Sequence, residues 1–300
     1  MFIHEIRIHP KCSGTYSLET DSAWSGSPPS EFGISASVRS ASFRGFPVGG
    51  ASHPAALLRD QLEEQFGIWA SLAERNEQFL ENTSMLYWRG EDLVLTAGCL
   101  EKDSLDLRYE TELLRIEREK LEALAAASLE ISCVGWNSEA QCVCDCAESA
   151  GFILWTHFID AGSPIACVSC GQNVPLYRLP ESVRYPLWNW ASAYRKCDWL
   201  NMDCGFGERW ASCQMRDADS GLMREGRALA SMLESACGIP VWVYLYNDRT
   251  VRRFRARCPV CGQELRRSED FPQFGGIQNA EYVLMAFLCP ECRLGTNAPF

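Results

Sequence analysis

The chain has 300 residues, 47% of them hydrophobic, enough for two domains or for one with appendages, each with its own core. It carries 39 acidic against 28 basic side chains, and a chain that acidic is repelled by a phosphate backbone unless its basic residues gather on one face. No apolar run reaches the roughly 18 residues of a membrane span, and the opening Met1-Phe-Ile-His-Glu-Ile-Arg-Ile-His-Pro10 has neither the basic nor the apolar region of an export signal. A cytoplasmic protein with no membrane partner is the expectation.

The charge is uneven: residues 1–140 hold 22 Asp and Glu against 12 Lys and Arg, whereas 141–300 hold 17 against 16. In chain order, residues 2–8 alternate as a strand. Residues 13–51 are rich in Ser, Gly and Pro and read as an insertion, and Ser52-His53-Pro54 starts a helix with Leu57, Leu58, Leu62 and Phe66 on one face. A hairpin follows, with Ser84–Trp88 and Asp92–Thr96 flanking Arg89-Gly90-Glu91. Leu105, Leu113, Leu114, Leu121 and Leu124 then mark an amphipathic helix from Ser104 to Ala127, with Glu110, Glu112, Glu117 and Glu119 on a solvated face. A strand over Leu129–Trp136 completes the order βαββαβ, which predicts a ferredoxin-like α/β sandwich for 1–140 within an α+β protein.

Nine of the sixteen cysteines sit in Cys-x-x-Cys and Cys-x-Cys groups, and with no export signal that favours metal over disulfides. In the middle segment, 141–248, Cys142-Val-Cys144-Asp-Cys146 precedes a strand at 151–160 and the turn into Cys167-Val-Ser-Cys170-Gly171. Cys144, Cys146, Cys167 and Cys170 are the chosen four-thiolate set and Cys142 the spare; His157 reads as a packed strand residue. Helices follow Pro180. The aromatic run Arg184-Tyr-Pro-Leu-Trp-Asn-Trp190 reads as core, and one long helix is expected over Glu208–Ala236, stopping at Gly238, before a strand at 241–246. Gly205-x-Gly207 lacks the third glycine of a phosphate loop. Cys197 and Cys204 are either a further thiol site or buried thiols.

The clearest chemistry is C-terminal. Cys258-Pro-Val-Cys261-Gly262 and Cys289-Pro-Glu-Cys292 make two short pairs joined by an enlarged hairpin, with Phe271–Gly276 and a strand at Tyr282–Leu288, the pattern of a zinc ribbon over 249–300. Four thiolates about 2.3 Å from Zn²⁺ leave no position for a water, so the expected metal is structural. Seven arginines lie between Arg249 and Arg267, opposed only by Glu264. Of these, Arg252, Arg253, Arg255, Arg257, Arg266 and Arg267 are candidates for phosphate contacts. The alternative is internal charge balance against the thiolates and the acidic half.

With these residues in view, the chain resembles a bacterial family of uncharacterised proteins described as zinc-ribbon-containing, with a suggested nucleic-acid-binding role. The resemblance rests on Met1-Phe-Ile-x-Glu5-Ile-Arg7, Cys99-x-x-x-Asp103-Ser-Leu105, Cys144-x-Cys146, Cys167-x-x-Cys170 with Val174-Pro-Leu-Tyr-Arg-Leu-Pro180, Cys197-Asp-x-Leu-x-Met-x-Cys204-Gly-x-Gly-Glu-Arg209 and the terminal ribbon. It covers nearly everything from about Met85 onward, and the segment at 13–51 is longer than the family pattern. It implies that Cys197 and Cys204 are more than incidental.

Two function classes follow. The first is a non-enzymatic zinc protein, with one or two Zn²⁺, that contacts nucleic acid through the ribbon. The alternative is an acidic interaction protein, such as an immunity protein masking a basic toxin. An enzyme ranks third, since no His-Glu-x-x-His, P-loop, nucleophile elbow or dinucleotide fingerprint occurs, and Cys197 with His157 is the one conceivable Cys–His pair.

Overall fold

The computed structural model describes residues 1–11, 54–136, 143–159, 162–203, 205–247, 257–274 and 285–297. The expected insertion at 13–51 and the helix start at Ser52-His53 lie outside them. Among these residues the protein is a mixed α+β structure with two sheets.

The first sheet joins β1 (Phe2–Ile8), β2 (Met85–Arg89), β3 (Asp92–Cys99) and β4 (Glu130–Trp136) in the order β2-β3-β1-β4. All neighbours are antiparallel. In β1 the inward row is His4, Ile6 and Ile8. The two isoleucines meet Leu93 and Leu95 in a core closed by Leu62, Phe66 and Trp69 of α1 (Pro54–Arg75) and by Leu114 and Leu121 of α2 (Glu112–Ala125). His4 is kept in that row by an Nε2 contact of 2.9 Å to the Lys102 carbonyl, and burial holds its pKa below the usual imidazole value.

Helix α2 starts eight residues later than expected. Asp106 caps a 3₁₀ turn at Leu107–Tyr109, and the Thr111 hydroxyl then accepts from the Leu114 amide, so the local caps stop the helix from extending back to Ser104. Its acidic face is not merely solvated. Arg115 bridges Glu112 and Glu119, Arg118 bridges Glu110 and Glu122, and Lys120 pairs with Glu117.

The second sheet runs β6-β5-β7-β10-β9-β8, built from β5 (Phe152–Leu154), β6 (Ile165–Cys167), β7 (Val241–Leu245), β8 (Arg266–Arg267), β9 (Phe287–Cys289) and β10 (Leu294–Thr296). β7 lies parallel to β5 on one side, Phe152 beside Val241, and to β10 on the other, Leu294 beside Val243. The sheet therefore crosses the boundary expected at 248/249. Its β5 is shorter than the strand predicted for 151–160. Three helices, α3 (Glu181–Asp203), α4 (Glu208–Arg216) and α5 (Gly221–Cys237), cover one face around Leu187, Trp190, Tyr194, Met215, Met223 and Leu233. The other face buries Trp242 edge-on to Phe274, with Met285 and Leu288.

The single helix predicted over Glu208–Ala236 is two. Asp217 ends α4, its carboxylate accepts from the Asp219 amide, and the Ser220 hydroxyl accepts from Met223 to begin α5. Three short polar side chains in four residues compete with the helix backbone and win. The aromatic run is core only in part: Trp190 is buried, whereas Tyr185 is exposed and stacks on half-buried Trp188.

Trp190 Nε1 donates to the Leu222 carbonyl at 3.0 Å, and a Cβ at Gly226 would come within 2.8 Å of that nitrogen. Gly226→Ala should therefore cost about 1–3 kcal/mol by overpacking rather than gain the usual helix propensity, as chemical denaturation would read.

Polar contacts join the two units. Buried Glu77 accepts from the Leu176 amide at 2.8 Å, and the Tyr177 hydroxyl lies 2.7 Å from Glu101 and 3.0 Å from Ser104. Arg184 donates to Asn76 and to the Tyr109 carbonyl. Burial pushes the Glu77 carboxyl up to about 7, against the opposing pull of the Leu176 amide, Arg195 and Ser163.

Candidate metal centres

Each half of the second sheet ends in a cysteine cluster. On one flank, Cys144 and Cys146 approach through the Cys144 amide, which donates to the Asn173 carbonyl at 2.8 Å, while Cys167 ends β6 and Cys170 follows it. On the other, Cys258 and Cys261 precede β8, Cys289 ends β9, and Cys292 precedes β10. Within each set of four, the sulfurs all lie within 4.8 Å of one another. The Cys261 and Cys289 sulfurs are 3.5 Å apart, far beyond a disulfide bond, and all eight are free thiols.

The first pair of the ribbon and the second pair of the middle segment share one turn. Cys167-Val-Ser-Cys170-Gly171-Gln172 and Cys258-Pro-Val-Cys261-Gly262-Gln263 differ only at their two central positions. In both, the first cysteine's amide donates to the glutamine carbonyl, at 2.8 and 2.7 Å, and the glycine amide donates back to that cysteine's carbonyl, at 2.8 and 2.9 Å. The glycines have φ of 75° and 73°, open to glycine at no steric cost. At the third pair Arg293 takes the same left-handed place with φ of 49°. The glycines were legible in the sequence, but the repeated Gln172 and Gln263 were passed over, although Cys-x-x-Cys-Gly-Gln recurring twice was there to find.

These turns aim amides at sulfur. The Gln263 amide holds Cys261 below the usual thiol pKa, and the Val260 amide lies 3.4 Å from the Cys258 sulfur. Cys167 is lowered despite its burial, by the Ser149 hydroxyl at 3.1 Å and by neighbouring amides. Burial, reinforced by neighbouring sulfurs, pushes Cys144, Cys170, Cys289 and Cys292 up. Four sulfurs in contact cannot all ionise unless a cation sits among them, and a bound cation inverts that cost. The donor set fits a tetrahedral, thiophilic divalent ion, which would draw all its ligands from protein and leave no open position.

The remaining site candidates fall outside these clusters. Cys197 is buried on α3, its thiol pushed up by burial, and Cys204 lies outside the described residues. His157 packs against Trp155, with ring centres 4.9 Å apart. Arg252, Arg253 and Arg255 also lie outside the described residues, as do the spare Cys142 and residues 275–284 of the ribbon's hairpin connector. Arg257, Arg266 and Arg267 are exposed beside the second cluster. Arg266 lies over Phe271 and Arg267 over Phe287, and among the described residues the one ion pair of the three is Arg267–Glu269 at 3.9 Å.

Fold and clusters define a class: an α+β protein with two four-cysteine sites compatible with metal, one on each flank of a shared sheet. The family described as "Domain of unknown function (DUF2310)" matches residues 146–246, the segment that runs from the first cluster through the helices to β7. A Haemophilus influenzae protein described as uncharacterized is 24% identical over 253 residues, which span 80% of this chain and 93% of that relative. A second uncharacterized protein of the same organism is 27% identical over 151 residues, 48% of this chain and 70% of its own. No solved structure matches. No helix among the described residues is long and apolar enough to cross a membrane.

Proposed function

We propose that this is a non-enzymatic cytoplasmic zinc protein, with one structural Zn²⁺ in each cysteine cluster, whose C-terminal zinc ribbon contacts the phosphates of a nucleic acid. In this reading residues 1–140 form a ferredoxin-like sandwich, to which the order β2-β3-β1-β4 with all-antiparallel neighbours lends support. Residues 141–248 carry the first knuckle site and 249–300 the ribbon. A four-thiolate site offers no open coordination position, which favours a structural over a catalytic role for the metal.

The observation that carries the nucleic-acid reading is the contrast between two sets of arginines. Those of α2 are spent on neighbouring glutamates, whereas Arg266 and Arg267 form the outer strand β8 with their guanidiniums over the rings of Phe271 and Phe287, exposed, and with only the long contact of Arg267 to Glu269 at 3.9 Å among the described residues. Guanidiniums held on a rigid edge suit bidentate phosphate contacts. The same contrast weakens the alternative of an immunity protein that captures a basic toxin, because much of the acidic charge on α2 is already paired.

Binding to DNA and RNA, titrated against salt, tests it. The variant Arg257→Glu/Arg266→Glu/Arg267→Glu should lose affinity for every sequence and flatten the slope of log K against log[salt] by up to about 3 on duplex DNA. Undiminished binding by the variant, or none by the metal-loaded parent, would contradict the reading.

A further inference from the structure

A cleft of about 530 Å³ opens where the turn after α1, the segment after β5 and the middle of α3 meet. That is the size of a small-molecule site, and such sites favour junctions between units. From α3 the cleft takes Ser192, Arg195, Lys196 and Trp199, spaced i, i+3, i+4 and i+7 and so on one helix face, over about 10 Å of axis.

The polar groups here are placed but not used up. The Arg195 guanidinium donates to the Thr156 hydroxyl at 3.1 Å, to Glu81 at 2.9 Å and to the Gly162 carbonyl at 2.7 Å, which fixes its plane and leaves N–H groups spare. Lys196 is exposed with no ion pair among the described residues, and the Ser192 hydroxyl, the Asn82 side chain and the Trp199 indole make no hydrogen bond among them. Glu81 offsets one of the two cations, so the lining keeps one net positive charge. Beside it stand apolar faces in water: Trp199 is 51% exposed and Ile159 is 78% exposed.

We infer that this cleft binds a planar heterocycle carrying a phosphate, of nucleoside monophosphate size, the ring lying on Trp199 and the phosphate on Lys196, Ser192 and the spare Arg195 donors. A rigid guanidinium fork with an ammonium beside it suits a doubly charged phosphate better than a single carboxylate. A broad indole face suits a ring that needs stacking area. The inference depends neither on the cysteine clusters nor on the ribbon arginines, so it stands or falls apart from them.

Calorimetric titration of the full chain with adenosine and guanosine 5′-monophosphates tests it, with adenosine and inorganic phosphate as half-ligands. One-site saturable binding is expected for at least one monophosphate, with each half-ligand weaker by at least about tenfold. Lys196→Glu and Trp199→Ala, both at exposed positions that the fold tolerates, should each weaken binding at least about tenfold, while Trp199→Phe keeps it within about threefold. The assignment is overturned if neither monophosphate saturates, if phosphate alone binds as tightly, or if the Glu or Ala variant binds like the parent.

Discussion

Cys289→Ala should lower the stability of the whole C-terminal sheet by several kcal/mol, while Cys213→Ala stays within about 0.5 kcal/mol of the parent. Cys289 is fully buried, ends β9 and pairs with Leu294 of β10, whereas Cys213 is exposed on α4 and belongs to no cluster among the described residues. Losing one of four thiolates would weaken a metal held between β9 and the Cys258 turn. The damage does not stay local, because β10 pairs directly with β7 and β7 with β5. Hydrogen exchange at Val241–Leu245 should therefore rise together with that at the ribbon, and a chelator should affect the variant less than the parent. Equal denaturation midpoints for the two variants would remove the metal from this part of the account.

The second large effect is pH-dependent and sits between the two units. Glu77 is buried against the Leu176 amide, and burial lifts its carboxyl from 4.5 to about 7. A carboxyl whose folded pKa is raised binds its proton more tightly in the native state. Its contribution is thus fully present below about pH 4.5 and is lost as pH rises through about 7. A gap of that size amounts to about 3 kcal/mol. Glu77→Gln keeps an oxygen to accept from Leu176 and removes the titration. The stability of the parent relative to this variant should fall by about 3 kcal/mol between pH 4.5 and pH 8, in paired urea denaturations; parallel pH profiles would show that Glu77 stays ionised.

What the sequence made legible was local chemistry. Cys-x-x-Cys-Gly announces its own turn, because the ligands and the left-handed glycine lie within five residues, and both chosen sets of four are brought together in space. The N-terminal strands were readable from alternation and hairpin turns. Long-range facts were not. Nothing near Val243 or Leu294 says that they lie side by side in parallel, so the sheet shared by both clusters was invisible. Glu77 sits in the polar stretch Asn76-Glu-Gln78, which reads as an exposed helix end, and its partner is the Leu176 amide, 99 residues away. The break between α4 and α5 was written in Asp217, Asp219 and Ser220, but helical periodicity on both sides outweighed those caps. The paired arginines of α2 carried i, i+3 and i, i+4 spacings that a plain reading of a solvated face passed over.

Metal analysis of the chain purified without chelator is the most direct measurement of the central claim. The account predicts two zinc ions per chain, falling to one in Cys167→Ser and to one in Cys258→Ser. Less than one zinc per chain, or a content unchanged by either substitution, would contradict it.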